Sequence, residues 1–129
     1  MSEQVDSLLK KAQKYLRSAA VLFEMEDYDS TVSRAYFAMF YAAQAALLKE
    51  TRALSSRQGI RSAFIDRFVK NGPLPTRAAE VLERASELQE MGDYAYNFAV
   101  DRSDAEFILA ESEAFVNSLT NLIEKSVVN

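Results

Sequence analysis

The sequence predicts an all-α fold, an antiparallel up-and-down bundle of four long helices plus one shorter helix over about residues 56–70. Three observations predict it. Only three Gly and two Pro punctuate 129 residues, too few for the turns of an all-β chain, and the many Ala, Leu, Glu, Lys and Arg favour helices. Apolar residues recur at spacings of three and four along most of the chain, the period that turns one helix face to a core. From Ala35 to Leu48 run fourteen residues without a charge, too short to cross a bilayer, so this stretch must be a helix buried by protein on nearly all sides.

Each element follows from its pattern and its ends. Val5, Leu8, Leu9, Ala12, Tyr15, Leu16, Ala19, Leu22 and Phe23 make an amphipathic helix over residues 3–25. A second helix follows at once, capped by Asp27 or Asp29 and running to about Glu50. Its Ala35, Ala38, Ala42 and Ala45 form a small-residue stripe that admits a neighbouring helix closely, while Phe37, Met39, Phe40 and Leu47 fill the other sides. After a loop from Thr51 to Leu54, Ser55 with Gln58 reads as a capping box opening the shorter helix, with Ile60, Ala63, Phe64 and Phe68 inward. Asn71, Gly72, Pro73 and Pro75 end it. Ala78, Val81, Leu82, Ala85 and Leu88 mark a helix from about Thr76 to Glu90, and Gly92-Asp93-Tyr94 reads as its terminating turn. Tyr94, Tyr96 and Phe98 then belong to a loop packed over a bundle end. Ser103 with Glu106 forms a second capping box, and Ile108, Phe115, Leu119 and Leu122 carry the last helix to about Lys125. Residues 1–129 are one domain, with the 56–70 helix across one end.

Composition narrows the chemistry. The chain has no His and no Cys, which removes the usual general acid/base and the ligands of zinc, iron-sulfur and haem sites, so neither a metal nor another cofactor is expected. The start, MSEQVDSLLKK, places acids before bases and lacks an apolar core, so no secretory signal and no membrane span are expected and a cytoplasmic protein is the default. The net charge of −4 is uneven: residues 49–70 carry six basic and two acidic side chains, residues 71–129 four basic and eleven acidic. The basic segment either receives phosphates or faces the acidic segment of a partner subunit, or is simply solvated.

Individual residues admit competing roles. Arg34, at the mouth of the apolar run, either pairs with Asp29, Asp93 or Asp101 to fasten helices or meets a ligand. Tyr36 and Tyr41 read as core residues whose hydroxyls reach backbone or carboxylate partners. Glu80, Glu83, Glu87 and Glu90 lie on one helix face as a solvated row rather than a metal site. Because helix two is apolar nearly all round, part of its surface is expected to be a homodimer contact. A tetratricopeptide-like hairpin is the weaker architectural alternative, since no 34-residue period sustains it.

Three strings carry a resemblance: SRAYFAMFYAAQAALL, LSSRQGIRSAFIDRFVKNGPLP and ELQEMGDYAYNFAVDRSDAEFILAESEAFV. In this order, over about residues 5–124, the chain resembles the small stand-alone prokaryotic branch of the HEPN superfamily. That resemblance implies an antiparallel helical bundle, usually a dimer. Many such proteins are metal-independent ribonucleases, others pair with minimal nucleotidyltransferases as toxin and antitoxin, and some bind nucleotides or act as assembly modules. The ribonucleases set an Arg and a His near the dimer interface, the Arg stabilising phosphate charge and the His moving the proton. Here Arg34 occupies the Arg place and Tyr41 falls where the branch often has His. Arg57 stands where relatives often carry the His of Ser-Ser-His-x-Gly, and Gln89 stands before Asp93-Tyr94 where they often carry Arg.

A phenol of ordinary pKa about 10 is a poor proton shuttle near neutrality. The expected function is therefore a catalytically impaired or non-enzymatic module that dimerises and binds a partner protein, nucleotide or RNA, within a toxin-antitoxin pair, with no DNA sequence readout. Candidate phosphate or ligand residues are Arg34, Tyr41, Arg57, Arg61, Asp93 and Tyr94, Arg57 gaining from the free N–H groups at a helix start. The alternative is an active ribonuclease toxin using Arg34 with Tyr41 or Arg57.

Overall fold

The computed structural model describes residues 2–50 and 54–128, with side chains through Lys125, and every regular element among them is helical. Helix α1 spans Glu3–Glu24, α2 Tyr28–Lys49, α3 Arg57–Phe64, α4 Thr76–Tyr94 and α5 Arg102–Val128. A π-helical turn, Ile65–Lys70, continues α3 directly. The expected loop Thr51–Leu54 lies, apart from Leu54, outside the described residues. Among the described residues no helix is long and apolar enough to cross a membrane.

Caps explain most helix ends. The Ser2 hydroxyl accepts the Val5 N–H at 3.1 Å, closing the first turn of α1. At its other end Glu26 takes a left-handed φ of 62°, the Glu26 N–H reaches the Phe23 carbonyl and the Asp27 N–H reaches Leu22. That is a Schellman turn with Glu where Gly is usual, and it reverses the chain within three residues. Asp27 then caps α2, its carboxylate accepting the Ser30 N–H at 3.2 Å. The other cap candidate, Asp29, accepts the Val100 N–H at 2.7 Å and so ties the 95–101 loop to the start of α2.

Three expected boundaries change. Ser56, one residue beyond Ser55, caps α3 by accepting the Gly59 N–H at 2.9 Å. Asp101 caps α5, accepting the Asp104 N–H at 2.8 Å, because a carboxylate two residues ahead of Ser103 already satisfies that turn. Helix α4 continues through Gly92 to Tyr94 instead of stopping near Glu90. The glycine serves closeness rather than termination: a Cβ there would sit 3.2 Å from Asp29 Oδ1 and 3.3 Å from Val100 Cγ2. Gly72, two residues past the π-helical turn, is required by an even closer approach, since a Cβ would lie 2.5 Å from the Arg67 carbonyl oxygen. The shorter helix also sits differently from expectation. Rather than crossing a bundle end it lies beside the C-terminal half of α2, held by Arg61 on Tyr36 at 2.9 Å and by the Arg67–Glu50 ion pair at 2.7 Å.

The long helices run up, down, up and down. Helices α1 and α4 end where α2 and α5 begin, as shown by Ser33 on Asp93 and Arg102 on Tyr28. Helix α2 packs on α1, α3, α4 and α5, whereas α1 and α4 sit on opposite corners and do not touch. Ala35, Ala38, Ala42 and Ala45 are fully buried, so the small-residue stripe does let neighbours close on α2. Most of helix two is thus covered within one chain, while Phe37, Tyr41, Gln44 and Leu48 stay half-buried along the rest of its surface. One continuous core runs from Val5 to Ile123.

Candidate functional site

On the outward face of α2, between α1 and α3, three aromatic rings each lie under a cation. Arg34, Phe37 and Tyr41 fall at i, i+3 and i+7, which aligns them along one line of the helix. Helix α1 runs alongside and supplies Lys11 and Tyr15, one turn apart. The Arg34 guanidinium stands 4.8 Å from the Tyr15 ring centroid, and Lys11 Nζ stands 4.8 Å from that of Tyr41. From the other flank the start of α3 brings Arg57 to 5.6 Å from the Phe37 ring. The rings also contact one another: Tyr15 meets Tyr41 edge to face at 5.2 Å, and Phe37 lies 6.3 Å from Tyr41. Lys11, Arg34 and Arg57 are exposed, the rings half-buried. Cation–π contact of this kind holds a long basic side chain in place while its charge still faces outward.

Arg34 forms no ion pair among the described residues. Each acid expected to fasten it has other work: Asp29 holds Val100, Asp101 caps α5, and Asp93 accepts from the Ser33 hydroxyl and the Gln89 amide, both at 2.9 Å. The fastening reading of Arg34 is thus overturned. Tyr36 is buried as expected, but its hydroxyl partner is Arg61 rather than a backbone group or carboxylate. Tyr41 is only half-buried and belongs to the strip.

Burial raises the pKa of the Tyr41 phenol above its ordinary value near 10, the neighbouring Tyr15 phenol adds to this, and Arg34 and Arg57 pull weakly the other way. At neutral pH Tyr41 is therefore a hydroxyl able to donate a hydrogen bond and unable to act as a base. Among the described residues no cluster of acids, His or Cys could hold a metal ion. The arrangement can neutralise an anion with two or three cations, offer it a phenol donor, and present ring edges to a flat group.

Of the six candidates read from the sequence, the structure brings Arg34, Tyr41 and Arg57 together, with Arg61 one turn further along α3 on Tyr36. Asp93 borders the strip through Ser33, next to Arg34 in sequence, but its carboxylate is engaged in holding α4 to α2. Tyr94 is not part of it and stands 73% exposed at the end of α4. Lys11, Tyr15 and Phe37 were missed as site residues. Their signal was the i, i+4 spacing of Lys11 and Tyr15, which read as the edge of an amphipathic face until α2 was laid beside it.

A bundle of helices in this order, led on α2 by an arginine before an alanine-rich and aromatic run, belongs to a defined class. The HEPN domain profile matches residues 5–122, and the chain belongs to that family, which sets aside the tetratricopeptide-like alternative. The chain is 29% identical over 126 residues to a protein of Methanocaldococcus jannaschii named "Putative toxin MJ0142", covering 97% of this chain and 86% of that one. It is 32% identical over 117 residues to the UPF0332 protein glr0978 of Gloeobacter violaceus, covering 90% of this chain and 93% of the relative. A UPF0332 protein of Archaeoglobus fulgidus is 32% identical over 124 residues, 96% of this chain and 98% of the other. Among solved structures, TT1696 from Thermus thermophilus superposes with a TM-score of 0.78 at 15% identity, over 93% of this chain and 98% of that one, a likeness of fold.

Proposed function

We propose that this HEPN-domain protein is a binding module that dimerises and holds a nucleotide or single-stranded RNA on the strip formed by Lys11, Tyr15, Arg34, Phe37, Tyr41 and Arg57. One observation carries the reading: three cations stand over three rings, with no carboxylate among those contacts and no group that could act as a neutral-pH base. Such a surface suits phosphates and bases but lacks a proton shuttle. The dimer contact lies beside the strip, so that two strips form a composite groove. A second protein, of nucleotidyltransferase type, completes a toxin-antitoxin pair in the cytoplasm.

A second reading, a ribonuclease toxin acting through Arg34 with Tyr41 or Arg57, draws support from relatives that carry the name of putative toxin. Expression separates the two. The binding-module reading expects a labelled single-stranded RNA to bind the purified protein, to lose affinity with Arg34→Ala, and to stay intact. Growth arrest with RNA degradation by the wild type, absent in Arg34→Ala, would establish the toxin reading instead. Light scattering on the eluting wild-type protein tests the dimer, and a clean monomer at micromolar concentration removes it.

A further inference from the structure

Opposite corners of the bundle carry opposite charge. Between Ser7 and Phe23, α1 has four cations and no acid, and Lys10, Lys14 and Arg17 make one exposed row at i, i+4 and i+7. None of the three forms an ion pair among the described residues, although Asp6 and Glu124 line the shallow groove beside them. Towards its C-terminal end the same side of α1 passes into Val21, 59% exposed, and then Met25, 69% exposed. Helix α4 carries the opposite sign in excess, with Arg84 interleaved among its acids. Glu80, Glu83, Glu87 and Glu90 form an exposed row, followed by Met91 and by Tyr94. Among the described residues only Glu87 of the four has an ion-pair partner, Arg84 on its own helix at 3.7 Å, an exposed pair of little strength.

Four of the seven large apolar side chains exposed on the described surface therefore continue these two charged rows: Val21 on α1 and Met25 just past its end, Met91 and Tyr94 on α4. Direction matters as well. Helices α1 and α4 run parallel, so each presents charge first and apolar side chains second along the same axis. Laid side by side in parallel, Lys10, Lys14 and Arg17 would meet the glutamates while Val21 and Met25 meet Met91 and Tyr94.

We propose that the α1 row of one copy docks on the α4 row of a second copy, bundle axes parallel. The occupant of each face is another molecule of this chain, because the complementary charge and the matching apolar end are both present on it. The two rows lie on different corners, so the contact is heterologous: each copy in a pair keeps one row free, and assembly continues as a row or closes as a ring. Charge sets the register and the apolar ends are dehydrated in the contact. Arg34, Tyr41 and Arg57 take no part, so the inference stands apart from the binding reading.

Sedimentation of the full chain tests it with two triple variants. One carries Lys10→Glu, Lys14→Glu and Arg17→Glu, the other Glu80→Lys, Glu83→Lys and Glu87→Lys. The wild type is expected to gain mass with concentration and lose it in high salt, where the Debye length falls to about 3 Å at 1 M. Each variant alone loses the larger species. Mixed in equal amounts they regain the wild-type mass, since the acidic α1 of one now meets the basic α4 of the other. Wild-type and variant masses that agree, or a mixture that stays small, overturn the contact. A single chain carrying all six exchanges is expected to assemble like the wild type, and its failure to do so while retaining full helicity overturns the contact equally.

Discussion

The two flanks of α2 use polar groups in opposite ways. On the α4 flank two carboxylates are engaged: Asp29 holds the Val100 backbone, and Asp93 is held by Ser33 and Gln89. On the outward face, between α1 and α3, Lys11, Arg34 and Arg57 rest on rings and meet no carboxylate among the described residues. One flank is a seam and the other a surface. Hydrogen bonds to a carboxylate fix both partners, whereas a cation over a ring keeps its donors available, which is why the second flank is the one suited to a ligand.

Substitutions on the two flanks should therefore separate stability from binding. The largest stability effect is expected from Asp29→Ala, which strands the N–H of buried Val100 and costs about 1–3 kcal/mol in chemical denaturation, with RNA affinity unchanged. Arg34→Ala reverses that pattern. It is expected to lower affinity for single-stranded RNA about tenfold, roughly 1.4 kcal/mol, while stability stays within about 0.5 kcal/mol, as measured by titration and melting. A loss of stability as large as that of Asp29→Ala would show that Arg34 fastens helices after all.

The two tyrosines of α2 sharpen the contrast. Tyr36→Phe removes the acceptor of Arg61 and should cost about 1 kcal/mol, whereas Tyr41→Phe should change stability by less than about 0.5 kcal/mol and weaken RNA binding. The smallest effect is one of pH. Because the phenol pKa of Tyr41 is raised in the folded state, the folded protein holds this proton more tightly than the unfolded chain. Its contribution to stability is complete below about pH 10 and is lost as pH rises through the folded-state value. RNA affinity should accordingly be flat between about pH 6 and 9. An inflection near pH 6.5–7 in a chain without histidine would point to a strongly shifted group outside the strip.

Helices were legible because they rest on local rules. Period and caps alone placed α1, α2 and the start of α4 within a residue or two. Errors came where two signals competed for one turn, as with Ser56 against Ser55 and Asp101 against Ser103. Gly92 misled for a different reason: glycine marks either a stop or a close approach, and only the position of Asp29 distinguishes them. The candidate site was half legible. Arg34, Tyr41 and Arg57 stood out through a family resemblance, while Lys11, Tyr15 and Phe37 read as ordinary members of amphipathic faces.

What the sequence by itself determined was the fold class, the family and the absence of an imidazole, since composition, periodicity and motif order are properties of the chain alone. Tertiary structure alone decided what Arg34 faces. Three acids were within reach of a sequence argument, and which of them a side chain meets depends on how α4 and the 95–101 loop close on α2. Those acids are engaged in the seam, so the arginine lies over Tyr15, and the strip it joins exists only where three helices meet.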